Sequence, residues 1–257
     1  MGGEKAYPFR PWLLRYWVGR YIEHVCSRGK VAGGVFSGMA YVRQSVGSQL
    51  IPKWLGTYEC ELIPLFRSLL AHKFEYVIDV GAAEGYYAVG AAIKWPAAAV
   101  TAFESTEDGR TSIEELARLN GVGDRIKISG HCDVAGLAMA IPQTGAGLII
   151  MDVEGAEYEL LEPSSIPAFD RCHIVVELHE WVHGNLDAAL RKRFAPTHAI
   201  SETWTRKRTM RDFASPEVAM PPRLLHRGLI AAVDEWRPGP MRWLYMQPRE
   251  NIIAGGQ

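Results

Sequence analysis

Net charge is nearly missing from this sequence: 28 Lys and Arg stand against 29 Asp and Glu in 257 residues, a formal charge of −1. Recognition of nucleic acid through bulk positive charge is thereby disfavoured, which leaves only local basic patches. Closely spaced cysteines are missing too. Cys26, Cys60, Cys132 and Cys172 lie far apart with no C-x-x-C pair, which excludes a zinc ribbon or disulfide framework and makes the reducing cytoplasm the expected compartment. There is no membrane span: the uncharged stretch Val134 to Met151 is interrupted by Gly136, Pro142, Gln143, Thr144, Gly145 and Gly147. Met1 to Arg10 carries charges and two glycines where a secretory leader needs an apolar stretch, so secretion is not expected. Internal repeats and low-complexity tracts are absent. What remains is 48% hydrophobic and 22% charged, enough apolar surface to build a core and too much for a disordered chain.

Residues 11 to 26 form a helical pattern, with Pro11 suited to a first turn and Arg15, Gly19, Arg20, Glu23 and His24 gathered into a polar stripe. Its other face is aromatic and aliphatic. Packing of that face on the core, or on a twin subunit in a homodimer, is the expectation, ahead of an amphipathic membrane-surface helix. A Gly- and Ser-rich loop follows to Gly47, then a second helical pattern over Tyr58 to His72.

Thereafter short β-branched runs alternate with helical stretches, the pattern of β-α-β units around a parallel sheet. Strands are predicted at Tyr76–Val80, Ala99–Phe103, Arg125–Ser129, Gly147–Asp152 and His173–Leu178, with His198–Trp204 and Arg242–Met246 as the last two. Helices are predicted at Gly85–Lys94 and Arg110–Asn120, the second stopped by Gly121. The fold class expected is α/β: a Rossmann-like, doubly wound, mostly parallel seven-stranded sheet, with residues 1–54 an N-terminal helical extension and 55–257 one cofactor domain.

Chemistry concentrates first at Val77-Ile-Asp79-Val-Gly81-Ala82-Ala83-Glu84-Gly85, an apolar strand running through a small-residue turn into a helix. Such a turn lets a ligand approach the backbone, and about twenty residues further on Glu104 ends the next strand, where a carboxylate can accept hydrogen bonds from both ribose hydroxyls. A nucleoside cofactor follows. The dinucleotide fingerprint G-x-G-x-x-G is not met, since Ala83 stands two residues after Gly81 with no third glycine in register. Asp79 would repel a pyrophosphate but suits the amino group and sulfonium of S-adenosyl-L-methionine.

These residues resemble the class I S-adenosylmethionine-dependent methyltransferases, and more closely the FkbM-like branch. The resemblance is carried by Leu55-Gly-Thr-Tyr58-Glu59, Asp79 to Gly85, Ala102-Phe-Glu104, Ile150-Met-Asp152-Val-Glu154-Gly155-Ala-Glu157 and Val176-Glu177-Leu-His179. It departs at Ala83-Glu84, where the branch has a small residue and Asn. It implies that Asp79, Gly81, Ala82 and Gly85 border the methionine part of the cofactor and that Glu104, with Ser105, holds the ribose. It also implies that Cys132 and Asp133 meet the adenine and that Tyr58 and Glu59 close over the methionine end. For Asp133 a helix cap, and for Tyr58 plain packing, are the competing roles.

The acceptor belongs at the carboxyl ends of strands four and five, where eight carboxylates and one Arg171 lie between Asp152 and Glu180. His179 is the expected base, with Glu177 orienting it and Asp152 nearby, all three of them catalytic candidates. A divalent metal on Asp152, Glu177 and His179 is the competing reading, set second to the base. Glu157 is expected only to offset a helix dipole, and His173 to be structural. Basic residues follow at Arg191, Lys192, Arg193, Arg206, Lys207, Arg208, Arg211, Arg223 and Arg227. They suit an anionic small-molecule acceptor, such as a nucleotide-linked sugar or acyl-carrier conjugate, or a solvated face. The function expected is O-methylation of a small molecule, sugar or natural-product intermediate. The alternatives are N-methylation, a non-catalytic scaffold of the same fold, and an NAD-dependent oxidoreductase.

Overall fold

The computed structural model describes residues 16–17, 19–43, 45–213, 226–235, 237 and 239–249. Two units can be distinguished: Met1–Arg43, Ser48–Cys60 and Lys207–Trp236 in one, and Gln44–Gly47, Glu61–Arg206 and Arg237–Gln257 in the other. The segment 207–236 thus joins the N-terminal residues in the smaller unit.

The larger unit is built on a sheet of seven strands: β1 (Tyr76–Val80), β2 (Ala99–Phe103), β3 (Ile126–Ser129), β4 (Gly147–Met151), β5 (Cys172–Glu177), β6 (His198–Trp204) and β7 (Arg242–Pro248). Their order is β3-β2-β1-β4-β5-β7-β6. All pairings from β3 to β5 are parallel, and β7 runs antiparallel between β5 and β6. The expected mostly parallel Rossmann-like sheet is therefore what the chain forms. β1, β4 and β5 are buried along their whole length, which explains their unbroken apolar runs. Alternate residues of β1, Tyr76, Ile78 and Val80, join a core with Ile149, Met151, Ile174, Val176, Leu244 and Met246. Helix Tyr86–Lys94 packs on β1 and β2, and helix Glu107–Leu119 on β3.

That second helix starts three residues before the predicted Arg110. Thr106 caps it, its hydroxyl accepting from the Gly109 amide at 3.1 Å, with Glu107 and Asp108 in the first turn. It ends as expected, with Gly121 in the left-handed region at φ 68°. Where the sequence suggests one helix over Tyr58 to His72, the chain forms a short 3₁₀ turn at Cys60–Leu62 and an α-helix at Ile63–Leu69.

His173, on β5, bears out the structural role expected of it. Its Nδ1 shares a 2.7 Å hydrogen bond with the Tyr245 hydroxyl, and its ring packs against His72 and Phe74. Burial, with His72 and His198 adding, lowers its pKa from 6.5 to about 4. Between those two pH values the unfolded chain binds a proton that the folded chain refuses, so stability falls as pH falls across this window. The expected loss is at most about 3 kcal/mol. Urea unfolding at pH 7 and pH 4.5 measures it. The drop should be smaller in His173→Asn, and equal drops would refute the assignment.

In the smaller unit, residues 16–21 are helical, with Val18 outside the described residues, and the chain continues as a π-helical turn, Ile22–Ser27. Residues 11–15 of the expected helix also lie outside the described residues. Ile22 is fully buried, whereas Tyr16 and Trp17 are exposed, so these two rings do not pack on the core. A short helix, Leu50–Leu55, carries Trp54, whose indole donates to the Val42 carbonyl at 3.1 Å. Among the described residues no helix is long and apolar enough to cross a membrane. Cys60, Cys132 and Cys172 are buried, and none of them is in a disulfide.

Candidate active site

The turn after β1 leaves no room for side chains. Gly81 sits at φ +84°, and a Cβ there would lie 1.7 Å from the Asp152 carbonyl oxygen. Gly85, at φ +94°, opens helix Tyr86–Lys94. The Gly81 and Ala82 amides both donate to the Phe103 carbonyl at 3.0 Å, which ties the turn to the end of β2. Asp79 is buried on the last turn-facing part of β1.

Glu104 follows β2 directly. One carboxylate oxygen accepts from the Ala83 amide at 2.9 Å, the other from the Thr106 amide and hydroxyl at 2.8 and 2.7 Å. These donors fix the carboxylate and leave lone pairs for further hydroxyls. Space behind it comes from Gly109, where a Cβ would come within 2.6 Å of the Glu104 Cγ. Arg110 reaches past to the carbonyls of Glu104 and Ser105 at 2.9 and 2.8 Å. Thr106, Gly109 and Arg110 are additions to the expected set, although the Thr before two acids carries the cap signal.

The carboxylate at Ala83-Glu84, the departure noted in the sequence, turns away from this groove. Glu84 is fully buried and accepts from the Ser45 hydroxyl at 2.9 Å and the Val46 amide at 3.1 Å. Ala83 takes the left-handed conformation, at φ 49°. After β3, Asp133 caps helix Val134–Ala140, accepting from the Gly136 amide at 2.7 Å, so the capping role weighed for it is real. Cys132 is buried beside it, and burial pushes its thiol up to about 12. This thiol is no nucleophile at neutral pH.

Past β4 and β5 the acids converge on one histidine. His179 is buried, and its Nδ1 is hydrogen-bonded to Glu157, itself fully buried at the start of helix Glu157–Leu160. Two expectations are corrected here. Glu157 is not merely a dipole-offsetting acid, and Glu177 does not orient His179: it forms an ion pair with Arg237. The partner lies 22 residues back along the chain, in another element, which no local spacing reveals. The opposite ring nitrogen, Nε2, lies 3.5 Å from Asp152 Oδ1 and 3.4 Å from Glu154 Oε2. Glu154 is exposed while Asp152 is half-buried. Burial lowers the His179 pKa, but the Glu157 hydrogen bond and the charges of Glu157, Asp152 and Glu154 outweigh it, and the net direction is upward. For Asp152, burial raises the carboxyl pKa, opposed by His179 and reinforced by Glu154. Trp181 packs edge-on against His179 with ring centroids 4.9 Å apart, and is exposed.

Tyr58 and Glu59 belong to the smaller unit. There the Glu59 amide donates to Glu235 at 3.0 Å, and Lys53 lies over the Tyr58 ring at 4.7 Å. Of the basic residues, Arg191 pairs with Asp187 and Glu202, Arg193 with Glu162, and Arg208 with Glu235. Arg223 and the side chain of Arg227 lie outside the described residues.

No family model matches the sequence, and neither does any curated protein. Solved structures do. The delta-N METTL16 methyltransferase domain aligns over 93% of this chain and 96% of its own, with TM-score 0.50 and 14% identity. Cofactor-bound Rv0187 from MTB aligns over 94% and 92%, with TM-score 0.48 and 12% identity. The O-methyltransferase TomG from Streptomyces achromogenes, in complex with SAM, aligns over 75% and 81%, with TM-score 0.47 and 10% identity. The fold is that of the Rossmann-like methyltransferases.

Proposed function

We propose that this chain is an S-adenosylmethionine-dependent methyltransferase that methylates a hydroxyl oxygen of a small-molecule acceptor. The observation that carries the proposal is a pair of chemistries at the carboxyl edge of one sheet. A glycine turn and a fixed Glu104 carboxylate follow β1 and β2, and the Asp152, Glu157 and His179 cluster follows β4 and β5. In this reading Glu104 takes the ribose hydroxyls, Gly81, Ala82 and Gly85 border the methionine part, and Asp79 supplies negative charge toward the amino group and sulfonium. Cys132 and Asp133 flank the adenine. The FkbM-like sequence pattern supports oxygen as the acceptor atom, and the lack of a pyrophosphate fingerprint supports the cofactor.

Transfer itself is an in-line displacement: the acceptor oxygen bonds to the methyl carbon as the carbon–sulfur bond breaks, releasing S-adenosylhomocysteine. The protein has to align the two and dispose of the hydroxyl proton. In this reading His179 receives it at Nε2, beside Asp152, Glu157 is the positioning residue that fixes the imidazole, and Glu177 is held by Arg237.

Calorimetry with S-adenosylmethionine and with NAD tests the proposal. Binding of S-adenosylmethionine and not NAD is expected, and the reverse would overturn it. Glu104→Ala should weaken that binding by about 100-fold or more, the loss of two charge-assisted hydrogen bonds.

A further inference from the structure

We infer that Asp152, Glu154 and His179 form a binding site for one divalent transition-metal ion, with Glu157 holding the histidine ring in place. The carboxylate of Glu157 occupies Nδ1. A hydrogen on that nitrogen, donated to Glu157, leaves the Nε2 lone pair directed at two carboxylate oxygens, 3.5 Å away on Asp152 and 3.4 Å away on Glu154. Neither Nε2 nor Asp152 Oδ1 makes a hydrogen bond, and both atoms are shut off from solvent. Two carboxylates facing one ring nitrogen call for positive charge among them, supplied by a second ring proton or, in its place, by a bound cation. The separations are too long for a proton to bridge by a good hydrogen bond. They suit a larger cation: two donors each about 2.1 Å from a common ion and about 90–109° apart lie about 3.0–3.4 Å from each other.

The donor set selects the kind of ion. One imidazole with two carboxylates is softer than the all-oxygen sets of Mg²⁺ and Ca²⁺ and harder than a thiolate site, which points to Mn²⁺, Fe²⁺ or Zn²⁺. A buried carboxylate hydrogen-bonded to the far nitrogen of a ligating histidine is the usual outer support of such sites. This assignment reverses the order of preference drawn from the sequence and changes the ligands, with Glu154 taking the place expected of Glu177. Three protein ligands leave coordination positions open, and an acceptor hydroxyl bound there would lose its proton more readily, to solvent, since with the ion in place Nε2 is a ligand and no longer the base. That last role rests on the methyl-transfer reading; the binding does not.

Mn²⁺ titration of the full chain, followed by EPR in the absence of S-adenosylmethionine, tests the site. One Mn²⁺ per chain is expected, with a directly bound nitrogen visible in the pulsed spectrum. His179→Gln should abolish the nitrogen signal and the site. Glu157→Gln should weaken affinity by about 10–100-fold. Glu154→Gln alters an exposed side chain, so folding is not at issue, and should weaken affinity at least about tenfold. Absence of saturable binding in the wild type, or undiminished affinity in either His179→Gln or Glu154→Gln, overturns the inference. A chain that binds Mn²⁺ but not S-adenosylmethionine would overturn the proposed function and leave this site standing.

Discussion

Replacing His179 by glutamine should lower methyl transfer by about 10²–10⁴-fold, the range over which a positioned proton-transfer group contributes. Glutamine can still donate to Glu157, so the buried carboxylate keeps a partner and the fold survives. What disappears is the nitrogen facing Asp152 and Glu154. The β1 turn and Glu104 lie on other strands, so affinity for S-adenosylmethionine should stay within about threefold, well under 1 kcal/mol. Release of S-adenosylhomocysteine against a panel of phenolic, sugar and hydroxy-acid acceptors, paired with calorimetry for the cofactor, separates the two effects. Unchanged turnover would remove His179 from the chemistry, and joint loss of turnover and cofactor affinity would make its role structural.

The second large effect belongs to Gly81→Ala. The new methyl group would sit 1.7 Å from the Asp152 carbonyl oxygen and 2.8 Å from its carbon, at a φ of +84°. The obstacle is backbone, and it cannot swing aside, because the Asp152 amide is hydrogen-bonded to the Val80 carbonyl at 2.9 Å. Left-handed strain alone costs about 1–3 kcal/mol, and forcing β1 and β4 apart adds to it. A total destabilisation on the order of 3–5 kcal/mol is expected in urea unfolding, with cofactor binding lost as the turn opens. Gly130→Ala is the control, since a Cβ there meets no atom within 4 Å. Equal stability of Gly81→Ala and the wild type would contradict the close approach.

The strands are legible from their short β-branched and apolar runs. β1 and β2 begin and end at their expected bounds, whereas β5, buried throughout, begins and ends one residue earlier than expected. β7 extends past the Met246 at which its pattern stops, since Gln247-Pro248 looks like a turn; in the sheet these residues pair with Ala199 and His198. Helix Glu107–Leu119 begins before its predicted start because Gly109 weakens the helical pattern there, while its small size accommodates Glu104.

The residues proposed for the cofactor side sit at a fixed offset from strand ends, and strand ends can be read. The acceptor side is legible only as a set of acids. Which acid meets His179, and that Arg237 answers Glu177 from 60 positions away, depends on how the sheet brings distant segments together. Local pattern carries no trace of such pairings. Glu84 belongs with them: its place in the turn suggests a ligand contact, while its partners are residues 45 and 46.

The antiparallel strand between β5 and β6 gives the two halves of the site different histories during synthesis. The cofactor turn, Glu104 and its cap lie within residues 79–109, so their contacts can close once the first parallel strands have emerged from the ribosome. The loop that bears His179 is secured by residue 242, through the Leu178 amide on its carbonyl at 2.9 Å and its guanidinium on Glu180. That residue lies 62 positions beyond Glu180 along the chain. The half proposed to handle the nucleoside can therefore be assembled early, whereas the proposed acceptor half stays unfinished until β7 has been made.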